Sequence, residues 1–263
     1  MNGPILQCAI ELAQKAGNIQ RQARERGIVV EQKGVADIVT AVDLACERAI
    51  VDAIRERFPD HGVVAEEGSS CAAEARCQWI IDPLDGTKNY AHGSVRCGVS
   101  IAVLLDGVTQ VGVIYAPFVD EIFVAERGRG SRCNDRPIAV SQTADVAHSM
   151  VASALTYSPG RRTTEPHQLQ RLLRVFSSAQ ALRSHGCCTL DLVDVARGRL
   201  DAYFEPSLAS WDTAAGALIV REAGGQTTSF LGEAHRLDHP HILASNGRIH
   251  EELRRILAID LPA

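Results

Sequence analysis

The chain holds eight cysteines, yet no two stand as a Cys-x-x-Cys pair and none has the spacing to histidine of a zinc site. That pattern argues against a cysteine-held metal and predicts reduced, buried thiols. Long hydrophobic runs are also lacking: the longest largely apolar stretch, Val99 to Leu105, is far too short to span a bilayer. The first apolar segment is interrupted by Glu11 and Lys15 and so has no signal-peptide core, which predicts a cytoplasmic location and no membrane partner. Positive charge is short as well, with 27 Lys+Arg against 32 Asp+Glu and a formal net charge of -5. A binder of the nucleic-acid backbone normally shows a basic face, so no nucleic-acid partner is expected. A small anionic substrate stays compatible if metal ions reverse the local field. There is no internal repeat and no low-complexity segment.

What is present describes an ordinary globular protein: 263 residues, 46% hydrophobic and 22% charged. That length suits one large domain or two packed lobes. Ile5, Ala9, Leu12, Ala16 and Ile19 recur in steps of three or four and predict an amphipathic helix that Gly27 ends. A short strand is expected over 28–30, a mobile loop at Lys33-Gly34, and a second helix beginning near Asp43, its N-cap, and closing at Phe58-Pro59. Runs over 97–105, 108–115 and 121–125, separated by turn residues, predict an antiparallel meander. A change of composition over 141–149 suggests lobes of 1–145 and 146–263. In the second lobe strands at 150–155, 200–204, 226–230 and 242–244 alternate with helices at 165–177, 189–197 and 211–223, and with a last helix capped by Asn246, which implies a layered α/β arrangement.

The chain is organised around Trp79-Ile80-Ile81-Asp82-Pro83-Leu84-Asp85-Gly86-Thr87-Lys88-Asn89-Tyr90. Three apolar residues read as a short buried strand that breaks at Pro83 and Gly86, leaving Asp82 and Asp85 on the turn after it. A carboxylate at a strand end must be neutralised by solvent, a base or a metal. Gly86 allows close backbone approach, and Thr87 supplies a hydroxyl and an amide where an anion would sit. A surface β-turn is the plain alternative. Phosphotransferases with an aspartyl nucleophile space their two aspartates two apart, whereas these are three apart with a proline between, which favours shared metal ligation. Further acids at element ends are Asp43, Glu66 and Asp212.

Glu66-Glu67, Asp82-Pro83-Leu84-Asp85-Gly86-Thr87, and Trp211-Asp212-Thr213-Ala214-Ala215-Gly216 followed by Glu222-Ala223-Gly224-Gly225 stand in that order along the chain. With these motifs the chain resembles the inositol monophosphatase family, part of the lithium-sensitive phosphatase superfamily that includes fructose-1,6-bisphosphatase. The resemblance covers nearly the whole chain. It implies an α+β fold built as a layered αβαβα sandwich, a homodimer, and hydrolysis of a small phosphorylated metabolite, foremost myo-inositol monophosphate, with two or three magnesium ions. It implies that Glu66, Asp82, Asp85, Asp212 and the Leu84 carbonyl bind metal, that Gly86 and Thr87 hold phosphate, and that Asp43 pairs with Thr87. Glu66 and Thr87 would orient the attacking water, with Asp43 completing the catalytic set. Asp85, His185, Gly186, Cys187, Cys188, Glu205 and Asp212 would face the alcohol. Glu205 matches the family's hydroxyl acceptor, but Gly186-Cys187-Cys188 departs from its usual small-residue loop and resembles that of histidinol-phosphate phosphatases. Histidinol-phosphate, sugar-bisphosphate and nucleotide 3'-phosphate hydrolysis are therefore the enzymatic alternatives. A regulatory binding protein on the same fold is the non-enzymatic one.

Overall fold

The computed structural model describes residues 3–27, 30–32, 38–72, 74–154, 167–239 and 241–258. The first segment forms α1 (Gly3–Arg26), with Ala9, Leu12 and Ala16 buried and Ile5 and Ile19 at the margin, as the spacing predicts. Then come β1 (Val30–Gln32), β2 (Ile38–Thr40) and α2 (Ala41–Arg57). The predicted mobile loop at Lys33-Gly34 lies outside the described residues. The chain continues with β3 (Gly62–Ala65), β4 (Ser70–Cys71), β5 (Cys77–Asp85), α3 (Thr87–Ala91), β6 (Gly98–Leu105), β7 (Val108–Ala116), β8 (Glu121–Glu126), β9 (Ser131–Cys133) and β10 (Arg136–Pro137). Beyond them lie β11 (Met150–Ala152), α4 (Gln168–Ser178), β12 (Ala181–Arg183), α5 (Cys188–Ala196) and β13 (Ala202–Glu205). The chain then forms α6 (Ser210–Glu222), β14 (Gln226–Thr228), β15 (Ile242–Ser245) and α7 (His250–Leu257).

β3 to β10 make one sheet in the order β10-β9-β8-β7-β6-β5-β3-β4, antiparallel except where β3 runs parallel to β5. The predicted meander is its centre. A second sheet runs β12-β11-β13-β15-β14, with β11 parallel to both β12 and β13. Alternation along the strands assigns each side chain to a layer. Trp79, Ile81, Val99 and Ile101 pack with α1 and α2 residues such as Leu12 and Ile50, while Ile80, Ala102 and Leu104 turn to α5 and α6. Tyr203 and Ala244 of the second sheet close that same middle cluster. Its other face, with Ala202, Phe204 and Leu243, is covered by Leu172 and Val175 of α4 and by Leu253 and Leu257 of α7. Helix, sheet, helix, sheet, helix is the resulting order, the α+β layering that the resemblance implies.

Close approach fixes the central layer. A Cβ on Gly112 of β7 would stand 2.8 Å from the Ala215 carbonyl oxygen of α6, so glycine is what lets this helix lie on the sheet. In that position α6 presents its first turn, with Asp212, beside the end of β5, and one core serves both sheets.

Candidate active site

β5 does not stop at Ile81. It runs through Asp85, with a shift of register between Asp82, opposite Ser100, and Asp85, opposite Gly98. Asp82 and Asp85 therefore sit on a bulged strand rather than on a turn after it, and Pro83 is tolerated because the bulge needs no ladder donor there. The bulge re-aims the two carboxylates. Asp82 is 1% exposed, and its Oδ1 accepts the Leu84 amide at 3.0 Å.

Gly86 follows at φ +82°, and a Cβ there would meet the Arg96 carbonyl at 2.8 Å. Glycine is required on both counts. Thr87 opens α3, and its hydroxyl lies 3.1 Å from Asp43 Oδ1 and 3.1 Å from the Leu84 carbonyl. Asp43 is buried in the first turn of α2 as the third helical residue, so it is not the N-cap that its position in the sequence predicts. Its carboxylate is turned to Thr87 instead.

Glu66 lies on the turn that β3 feeds, where its amide bonds the Ile81 carbonyl at 3.2 Å. Glu66 and Asp82 share a hydrogen bond between their side chains. Burial pushes the Glu66 carboxyl up to about 8, with Asp212, Glu67 and Asp85 adding to the rise against that bond. Burial also raises Asp82 well above the ordinary carboxyl range, followed by the charges of Glu66, Asp85 and Asp212. Four carboxylates thus feel one another in one place. Asp212, in the first turn of α6, accepts the Ala209 amide at 2.6 Å. Ser210 is the first residue of that helix and Ala209 its N-cap.

Several neighbours that hold these groups leave no mark in the sequence. Glu47 of α2 is 4% exposed and grips the turn carrying Glu66 through the amides of Glu67 at 2.7 Å and Ser69 at 3.0 Å. Asp85 Oδ2 accepts the amide and the hydroxyl of Thr189, both at 2.7 Å, and the Cys187 thiol at 3.1 Å. Asn89 reaches from α3 to the carbonyls of Arg96 at 2.8 Å and His185 at 2.7 Å. Their partners are distant in the chain, and no local spacing announces such pairs.

Gly186, Cys187 and Cys188 follow β12 and lead into α5, where the Cys187 thiol reaches Asp85 Oδ2 and the Cys188 thiol the Asp212 carbonyl. Burial raises both thiols far above the usual range. All eight cysteines are free. Glu205, at the end of β13, is 4% exposed and receives the Tyr203 hydroxyl on Oε2. His185 Nδ1 lies 2.7 Å from Asp191 Oδ1, which Arg96 also holds at 2.6 Å. Arg96 reaches Asp194 at 2.6 Å as well. The buried Asp191 carboxylate is held by the Arg96 charge, and its bond to His185 turns the imidazole toward α5.

Hard oxygen donors of this kind suit magnesium. Among the described residues no three His, Cys, Asp or Glu side chains close into a ready-made cage. Magnesium does not need one, since it keeps several waters and is held by one or two carboxylates together with substrate phosphate. The donor set and its concentrated negative charge fit that ion. No helix among the described residues is long and apolar enough to cross a membrane.

Comparison with known proteins bears on this geometry. The model of the inositol monophosphatase family matches residues 1–259. The chain is 39% identical over 253 residues to Nus factor SuhB of Pasteurella multocida, covering 95% of this chain and 94% of the relative. It is 40% identical over 231 residues to inositol-1-monophosphatase of Synechocystis, covering 87% of this chain and 80% of that one. The crystal structure of extragenic suppressor protein SuhB from Bartonella henselae superimposes with a TM-score of 0.92 at 34% identity, covering 98% of this chain and 100% of the other. A match over almost every residue, with the motif acids gathered beside Gly86 and Thr87, makes the chain a member of the inositol monophosphatase family and a phosphoric monoester hydrolase.

Proposed function

We propose that the chain hydrolyses myo-inositol monophosphate to inositol and phosphate, with magnesium held by Glu66, Asp82, Asp85, Asp212 and the Leu84 carbonyl. The observation that carries this reading is the gathering of these carboxylates beside Gly86 and Thr87, with Glu66 and Asp82 both pushed toward their neutral forms. Divalent cations held there would neutralise the phosphate and acidify water, the chemistry that suits direct attack by water without a covalent intermediate on the protein. The residues themselves orient the reactants. Thr87 Oγ1 gives its proton to Asp43 or to the Leu84 carbonyl, which leaves its lone pairs to accept from the attacking water. Backbone at Gly86 and Thr87 receives the phosphate, and the positive end of α6 favours its charge. Glu205, fixed by Tyr203, accepts a hydroxyl of the polyol in a charge-assisted hydrogen bond. Two copies of the chain form the working particle.

The name of the Synechocystis relative supports the substrate. The test is phosphate release with magnesium across a panel of esters. Inositol monophosphate is expected to give the highest kcat/KM, and Glu205→Ala to reduce that ratio by about 1.5–3 kcal/mol, the range for a hydrogen bond to a charged group. Histidinol phosphate winning by about tenfold, or an unchanged ratio in Glu205→Ala, overturns the substrate.

A role besides hydrolysis is a second reading, favoured by identity to a relative named Nus factor over nearly the whole chain. Cells deleted for their own copy decide it. Growth restored by an Asp85→Asn chain would establish the second role, whereas restoration only by the wild type would leave hydrolysis as the function.

A further inference from the structure

A second cleft, of about 540 Å³, opens between the β6–β7 hairpin, one face of α6 and the loop over 234–238. Its walls are apolar at Leu104, Val108 and Leu237 and basic at Arg127 and Arg221, with the imidazole of His235 beside them. Asp238 is the carboxylate in the lining, and Arg236 already holds both of its oxygens, at 2.9 and 2.6 Å. Glu222 is also engaged, by the amides of Gly128 at 2.8 Å and Gly130 at 2.9 Å.

Arg127 and Arg221 are thus two cations without an acid. Among the described residues neither forms an ion pair, and Arg221 has only the Thr227 hydroxyl at 3.0 Å. They are close enough to oppose each other: burial and then the Arg127 charge lower the Arg221 pKa, with Glu222 acting weakly against them. His235 borders the pair as a neutral imidazole, its pKa pushed down to about 4 by burial and then by the Arg221 charge.

We propose that this cleft is a second anion site and binds the phosphate group of a small phosphorylated metabolite. A dianion matches two unpaired guanidinium groups, where a single carboxylate would leave one of them exposed to its neighbour. The apolar walls and the volume leave room for an organic portion as well as the phosphate. Arg221 stands nine residues beyond Asp212 on α6, about 13 Å at the helical rise, and none of Glu66, Asp82, Asp85 and Asp212 lines the cleft.

Titration calorimetry on the full chain in excess EDTA tests this, because without divalent ions the acidic cluster repels phosphate. Inorganic phosphate and phenyl phosphate are the probes, and acetate is the monoanion control. Saturable binding of one equivalent is expected for both phosphates, weakened about tenfold or more by Arg127→Gln and by Arg221→Gln. Tighter binding of phenyl phosphate assigns the site to an organic phosphate, and equal affinity assigns it to inorganic phosphate. Arg127 is exposed, so its variant keeps the fold. Phosphate should raise the Tm of the wild type and not that of Arg127→Gln. No binding, binding unchanged in both variants, or equal binding of acetate overturns the proposal.

Discussion

Asp85 has two carboxylate oxygens with different duties. Oδ2 receives three donors from the start of α5, which leaves Oδ1 for metal. Asp85→Asn keeps an oxygen for Thr189 and replaces the other with an amide that cannot ligate. Activity should fall by at least the ~10–100-fold that loss of an outer partner of a metal ligand costs, with Tm unchanged. Retention of more than about a tenth of activity at saturating magnesium would remove Asp85 from the ligand set. Thr87 presents a different case, since its hydroxyl meets Asp43 and Leu84 in the free protein. Thr87→Ala should lower kcat by ~100-fold with little change in KM, because water alignment matters most in the transition state. A change confined to KM would mean that Thr87 binds substrate and does not align water.

Elements hold these residues at their stations, and the tightest station is where β7 meets α6. Gly112→Ala puts a methyl 2.8 Å from the Ala215 carbonyl oxygen and 3.1 Å from its Cα, both backbone atoms that cannot swing aside. Overpacking of this kind costs about 1–3 kcal/mol, and urea melting should show it as a lower midpoint at unchanged slope. Because α6 carries Asp212, kcat should fall as well. An unchanged midpoint would show slack between the layers. Most elements were legible because their signals are local: the period of α1, the turn pairs around β6, β7 and β8, and the acids of the motifs. What escaped is set by partners distant in the chain. Nothing near Thr189 points to Asp85, nothing near Glu47 points to the turn at Glu67, and nothing near His185 points to Arg96. Likewise Pro83 reads as the end of a strand, and only pairing with β6 shows that the strand continues past it as a bulge.

For the molecule as a whole, stability against acid depends on groups kept neutral where the outer layers join. His250, 3% exposed at the start of α7, bridges β14, an edge strand of the second sheet, and its neighbour β15. Thr228 Oγ1 gives its proton to the Ser229 carbonyl at 2.7 Å, so at 2.9 Å it accepts from His250 Nε2. His250 Nδ1 must then accept from the Ser245 hydroxyl at 2.8 Å, whose oxygen already takes the Gly247 amide at 3.1 Å. A second proton on the ring would face a donor, and burial with the nearby Arg254 pushes the His250 pKa down to about 4, against the pull of Glu251. The folded pKa is depressed below the unfolded value of about 6.5. In the window between those values the unfolded chain binds more protons, so stability is fully present above about 6.5 and is lost as pH falls toward 4. The loss from this one group is up to about 3 kcal/mol. His235, also pushed down to about 4, acts in the same direction, so the measurement that isolates His250 is a difference. Denaturant melts of wild type and His250→Gln at intervals from pH 7 to pH 4 should show a shallower fall in the variant, although it is less stable at pH 7. Parallel curves would mean that the imidazole of His250 is not the group whose protonation loosens α7 from the second sheet.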